Sequence, residues 1–224
     1  MKVAVLTSGG KDSLFSAYIL ASQGFEIRYM ISIDPENPES YMFHYPNVRF
    51  VKDQCNNMDI QVVTKKTKGH KQTEIMDLKS AINSLKNEID GVVSGAISSE
   101  YQKQRIDMTC EELGLISFSP IWHKNPECLL RDMVNAGFKI VITSIAAEGL
   151  GSDWLGKIID EKCITDLIDL KRKYGIHING EGGEYETFVL DMPLFKKPLK
   201  IGSANIKWDG ISGTYDIHNL DIVK

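Results

Sequence analysis

The chain has 224 residues, 42% of them hydrophobic and 25% charged, with a formal net charge of -4. That length supports one large α/β domain or two small ones around a real apolar core, and the composition is that of a globular protein. The acidic balance argues against an extended basic nucleic-acid surface, though not against a local basic patch, and the four cysteines (Cys55, Cys110, Cys128 and Cys163) form no C-x-x-C pair, which argues against a zinc ribbon, an iron–sulfur cluster and a disulfide framework. A reducing, cytoplasmic setting is expected: the chain opens directly into Lys2-Val3-Ala4-Val5-Leu6 with no signal peptide, and no apolar run approaches the roughly 20 residues that span a bilayer.

In chain order, residues 3–6 read as a buried strand and 12–22 as a helix with Leu14, Phe15, Tyr18 and Ile19 on one side, stopped at Gly24. A second strand is expected over 25–33, a polar loop over 34–46, a helix over 46–57 and a third strand over 60–64. A helix over 74–86, a strand over 91–94, a helix over 101–113 ended by Gly114, and a short strand over 115–118 complete the first half. Strict alternation of strand and helix predicts right-handed crossovers and a doubly wound parallel sheet, Rossmann-like, with its ligand beyond the carboxyl ends of the strands. Pro120 is the expected boundary between a domain over 1–120 and a second over 121–224. The second reads as a smaller α+β domain: a helix over 127–136, a strand over 139–145 and a helix over 157–174 interrupted near Cys163. Strand-like sequence follows from Phe188, with turns at Lys196-Lys197-Pro198, Asp209-Gly210 and Ser212-Gly213.

Between the first strand and the first helix lies Ser8-Gly9-Gly10-Lys11-Asp12-Ser13. Two glycines let backbone approach an anion closely, and the amides that follow lie at a helix N-terminus, where unpaired N–H groups and the helix dipole favour phosphate. Ser8 and Ser13 offer hydroxyls, Lys11 a cation, and Asp12 an N-cap or a magnesium contact. A plain strand-to-helix turn is the bland alternative, but the whole string is more specific than Gly-Gly alone. It has neither the Walker spacing nor G-x-G-x-x-G. It resembles the PP-loop of the N-type ATP pyrophosphatases, which implies ATP cleavage between the α and β phosphates and adenylation of a substrate oxygen.

Two further strings follow: Gly95-Ala96-Ile97-Ser98-Ser99-Glu100-Tyr101-Gln102-Lys103-Gln104-Arg105, and Asn179-Gly180-Glu181-Gly182-Gly183-Glu184-Tyr185-Glu186-Thr187. Small residues at 95–99 allow close approach to a ligand, and Arg105 offers a planar fork for phosphate or carboxylate. Three carboxylates around two glycines repel one another unless a cation or a donor relieves them, and Tyr185 beside them suits a bound cation. If the segment is extended, Glu184 and Glu186 share one side and Tyr185 takes the other. With the first loop and Pro120-Ile121-Trp122, these strings resemble the diphthine–ammonia ligases over essentially the whole chain. The resemblance implies an enzyme that amidates diphthine, a modified histidine of translation elongation factor 2, consuming ATP and ammonium and releasing AMP and pyrophosphate. It implies nucleotide contacts at residues 8–13 and substrate contacts at Ser98, Glu100, Tyr101, Gln104, Arg105 and residues 181–187; Asp34 and Gly95, at the carboxyl ends of their strands, are expected to meet the nucleotide. Lys11, Asp12 and Arg105 then serve catalysis, with Asp12 on magnesium. Eukaryotic members are expected to carry further carboxyl-terminal domains, so this chain looks like the archaeal form.

The five histidines (His44, His70, His123, His177 and His218) show no metal-ligand spacing. The basic stretch Lys65-Lys66-Thr67-Lys68-Gly69-His70-Lys71 reads as a solvated loop, with a clamp on phosphates as the other reading. Trp122 and Trp154 read as core or interface residues rather than ligand-stacking ones. A tRNA-modifying PP-loop enzyme, an amide ligase on another carboxylate and a non-catalytic nucleotide-binding module stand as alternatives. No membrane or stable nucleic-acid partner is expected, and self-association is compatible with the chain.

Overall fold

The structure, a computed structural model, describes residues 1–35, 47–67 and 71–223. It divides into two compact units, Met1–Trp122 and His123–Lys224, the division falling two positions beyond Pro120.

In the first unit, β1 (Lys2–Leu6), β2 (Glu26–Pro35), β3 (Gln61–Thr67), β4 (Gly91–Val93) and β5 (Ile116–Phe118) form one parallel sheet among the described residues, in the order β3-β2-β1-β4-β5. Helices α1 (Lys11–Ser22), α2 (Val51–Asn57), α3 (Lys71–Asn83) and α4 (Glu100–Leu113) connect the strands. Ala4, Tyr29, Ile31, Ile33 and Val92 project from one face of the sheet into a cluster with Leu78, Ala81 and Ile82 of α3, Leu85 of the turns after it, and Ile106 and Cys110 of α4. Val3, Val5, Met30 and Val93 alternate with them and are equally buried on the other face, so both faces are covered. The strand order steps outward from β1 to β2 to β3, then returns to the other side of β1 for β4 and β5. The direction therefore reverses between β1 and β4, and a crevice opens at their carboxyl ends.

Most expected elements form, with shifted ends. The helix expected over 46–57 is a 3-10 turn, Val48–Phe50, running into α2, and Pro46 lies outside the described residues. The helix expected over 74–86 lies earlier, as α3, because residues beyond Asn83 close into successive tight turns. Gly114 ends α4 with φ 71°, as its sequence position suggests.

In the second unit, α5 (Pro126–Asn135) begins at Asn125, whose side chain accepts from Glu127 N and Cys128 N, with Pro126 where a missing N–H costs nothing. Strands β6 (Lys139–Ile145), β7 (Tyr185–Asp191), β8 (Leu199–Trp208) and β9 (Gly213–Ile222) form an antiparallel sheet ordered β7-β6-β9-β8. The long helix expected over 157–174 is corrected. Residues 157–159 are extended alongside β6, with Ile142 N donating to Lys157 O and Ile159 N donating to Ile140 O. Helix α6 (Glu161–Tyr174) starts only where Asp160 caps it through Cys163 N at 2.8 Å, and it is unbroken at Cys163. Trp154 is buried, as a core residue.

Candidate active site

The Ser8–Ser13 turn leaves the carboxyl end of β1 at the point where the strand order reverses. Gly9 holds φ 83°, a conformation that a side chain would strain. Gly10 is the N-cap of α1 and makes no side-chain cap bond, so Asp12 is not the cap that the sequence suggested but the second residue of the helix. A first turn without a side-chain cap keeps the character of an anion site.

The turn is braced from inside. Thr7 Oγ1 accepts from Gly9 N at 2.9 Å and bonds Ser13 Oγ at 2.8 Å, while Ser13 Oγ donates to Gly10 O at 3.1 Å. One hydrogen arrangement satisfies all three: Thr7 donates to Ser13, and Ser13 donates to Gly10. The Ser13 hydroxyl, expected to point at a ligand, is thus engaged within the turn, and the Gly9 N–H is spent on Thr7. Gln54, buried on α2, donates from Nε2 to Gly9 O at 3.1 Å. Lys11 is 3% exposed and its ammonium meets Asp12 Oδ2 at 2.8 Å, so the cation and the carboxylate offered to a ligand are held together beside the turn.

Gly95 follows β4 and lies against this turn. A Cβ there would stand 2.6 Å from Ser13 N and 2.8 Å from Asp12 C, so the two loops touch backbone to backbone. Asp34, half-buried, stands near the end of β2 at the same edge of the sheet, in register with Lys66 of β3. Ser98, Glu100 and Gln104 are exposed, and Ser99 caps α4 through Gln102 N. Arg105 folds back on its own helix: its guanidinium lies 3.2 Å from the centroid of the Tyr101 ring, Nη1 donates to Tyr101 O, and the buried Nε has no hydrogen-bond partner. The ammonium of Lys103 meets Asp107 at 2.5 Å and stands 5.6 Å from the centre of the Trp122 ring. His44 and Lys68-Gly69-His70, including the centre of the basic clamp, lie outside the described residues.

Residues 181–187 belong to the second unit. Glu184 lies in the bend before β7, and its carboxylate is taken up locally: Oε1 accepts from His177 N at 2.8 Å and Oε2 from Gly182 N at 2.9 Å. Those donors relieve one of the three repelling charges. Tyr185 is 1% exposed and its hydroxyl donates to Ile178 O at 2.6 Å, so the expectation that its ring faces a bound cation is overturned. Thr187 is also buried, while Glu181 and Glu186 are half-buried. Among the described residues no group of three or more His, Cys, Asp or Glu side chains is placed to hold a metal. Magnesium commonly takes one or two carboxylates plus substrate phosphates, and Asp12 fits that smaller requirement.

Thr7 and Gln54 escape the sequence reading. Both carried a signal: a hydroxyl residue where β1 should end apolar, and a glutamine sharing a helix face with Val51 and Cys55.

The first unit is a doubly wound α/β domain with a braced, glycine-rich turn at its topological switch point, and the second is an α+β domain. Residues 1–117 match the family model described as the diphthamide synthase N-terminal domain, and residues 125–223 match the diphthamide synthase C-terminal domain. The chain is 34% identical to the Homo sapiens protein named diphthine–ammonia ligase over 92% of its own length and 85% of that protein, and 34% identical to the Danio rerio protein of that name over 91% and 88%. A Schizosaccharomyces pombe protein of the same name is 35% identical over 92% of this chain and 37% of that one. The chain belongs to the diphthamide synthase family. The expectation that eukaryotic members are longer is met by the S. pombe relative and not by the human or zebrafish ones.

Proposed function

We propose that this chain is an ATP-dependent amide ligase that adenylates the carboxylate of diphthine on translation elongation factor 2 and replaces the adenylate with ammonia, yielding diphthamide, AMP and pyrophosphate. The observation that carries the reading is the braced turn at residues 7–13, set at the β1/β4 switch point with Gly95 packed on it. The names of the relatives supply the reaction class.

The chemistry starts from an inert carboxylate, whose leaving group would be oxide. Transfer of AMP to one carboxylate oxygen breaks the bond between the α and β phosphates and makes a mixed anhydride. Ammonia then adds at the carbonyl carbon and gives up a proton, AMP departs with the oxygen that was adenylated, and the amide keeps the other oxygen. No residue of the chain need form a covalent bond. Its contribution is positioning and stabilisation of developing charge. The N–H groups of Gly10 and the first turn of α1 would hold the β and γ phosphates. Lys11, released from Asp12, would neutralise charge on the pyrophosphate as it leaves. A magnesium ion held by Asp12 and the phosphates would add to that neutralisation. Gly95 lets its segment pack directly against the start of α1, and Arg105, held against the Tyr101 ring, offers a second cation. Glu181 and Glu186 would meet the trimethylammonium of diphthine, while Glu184 shapes their loop.

Product analysis tests the nucleotide half of this reading directly. Incubation with ATP and substrate should yield AMP and pyrophosphate in equal amounts. ADP and phosphate instead would mean cleavage at the wrong bond and sink the adenylation step.

A further inference from the structure

A turn that offers backbone N–H groups to an anion is effective when its peptide planes are fixed before the anion arrives. The peptide joining Gly9 to Gly10 is the softest point of this turn, since neither residue has a side chain to anchor it. In a trans peptide the carbonyl and the following N–H point to opposite sides of one plane. Whatever grips the Gly9 carbonyl therefore also sets where the Gly10 N–H points. The grip comes from Gln54, distant in sequence, 1% exposed, donating to Gly9 O at 3.1 Å. Thr7 fixes the preceding peptide by accepting Gly9 N–H at 2.9 Å. Burying a glutamine amide costs free energy that an apolar residue beside Val51 and Cys55 would not incur. Its Nε2 bond is spent on the pivot of the turn.

We propose that Gln54 is a positioning residue for the phosphate-binding turn, locking the Gly9–Gly10 peptide so that the Gly10 N–H faces the terminal phosphates of the nucleotide. This rests on the nucleotide reading given above. Gln54 touches no substrate atom, and its effect is confined to the pyrophosphate end of the ligand.

The experiment is calorimetric titration of the full chain with magnesium–ATP, pyrophosphate and AMP, run beside thermal melting. Gln54→Met removes the donor at similar volume, and Gln54→Glu keeps the shape while only accepting. In both variants affinity for ATP and pyrophosphate should fall about tenfold, the worth of one lost hydrogen bond in a binding equilibrium, while AMP affinity stays at the wild-type level. Unchanged ATP affinity in either folded variant overturns the proposal. Equal losses for AMP and pyrophosphate also overturn it, since they mark a general packing defect. Failure of the wild-type chain to bind ATP or pyrophosphate would instead bring down the nucleotide reading itself, and this inference with it.

Discussion

Gly95→Ala is a small change with a large expected effect. The added methyl carbon would lie 2.6 Å from Ser13 N, 2.8 Å from Asp12 C and 2.9 Å from Ser13 Cα. All three atoms are backbone, so no rotamer change relieves the overlap. Ordinary van der Waals contact begins at 3.4 Å, so the two loops must part by about 0.8 Å, the difference between 3.4 and 2.6 Å. Overpacking of this kind costs about 1–3 kcal/mol, or a melting shift of a few degrees for a chain this size. The loss of activity should be much larger, because a displacement approaching about 1 Å in a positioning element lowers rates by about 100-fold. The control is Gly114→Ala, where φ is 71° and nothing lies within 4 Å, so strain arises far from the turn. It should cost about 1 kcal/mol of stability and leave pyrophosphate release intact. Differential scanning fluorimetry and a coupled pyrophosphate assay on both variants decide the matter. Wild-type pyrophosphate release by folded Gly95→Ala would show that the packing of these two loops does not set the site.

Tyr101→Leu removes the ring on which the Arg105 guanidinium rests, 3.2 Å from its centroid, and should lower kcat/KM by about 3–30-fold, whereas Tyr101→Phe keeps the ring and stays close to wild type. Equal damage from both would end the stacking explanation. Glu184→Ala strips acceptors from His177 N and Gly182 N and should cost about 1–3 kcal/mol in a chemical melt, while Glu186→Gln should raise KM for the protein substrate. Burial pushes the Cys55 thiol up to about 12 and the Cys110 and Cys163 thiols to about 11, from an ordinary 9.0, while Cys128 is exposed. A native-state thiol titration should therefore label one cysteine quickly and the rest only on unfolding. Raised folded-state values mean that the unfolded chain loses its thiol protons first. Their contribution to stability is whole below pH 9 and falls as pH rises toward 11–12, which alkaline melting curves can follow.

The parts of the site that were legible in sequence are those where chemistry is local. Ser-Gly-Gly-Lys-Asp-Ser after a buried strand could be read because glycines, a cation and a helix start act within six consecutive residues. The sheet was legible because apolar runs in Val3–Leu6 and around Ile31 have the lengths and spacings of buried strands. What escaped was decided by partners far along the chain. Gln54 looks like an ordinary polar residue until the fold brings it onto Gly9. Tyr185 looks like a cation platform until β7 turns its ring into the core. Glu184 looks like one of three equivalent carboxylates until the backbone of His177 and Gly182 closes on it. The helix expected over 157–174 failed for the same reason: residues 157–159 pair with β6, and Asp160 supplies the cap that starts the helix late.

The most direct measurement is intact-protein and peptide mass spectrometry of diphthine-bearing elongation factor 2 after incubation with the purified chain, ATP, magnesium and ammonium, with pyrophosphate followed in the same tube. Conversion of the carboxylate to the carboxamide, matched one for one by pyrophosphate and lost in Asp12→Ala, is the expected result. Pyrophosphate release with the modified histidine unchanged would retain the adenylating chemistry and remove diphthine as its substrate.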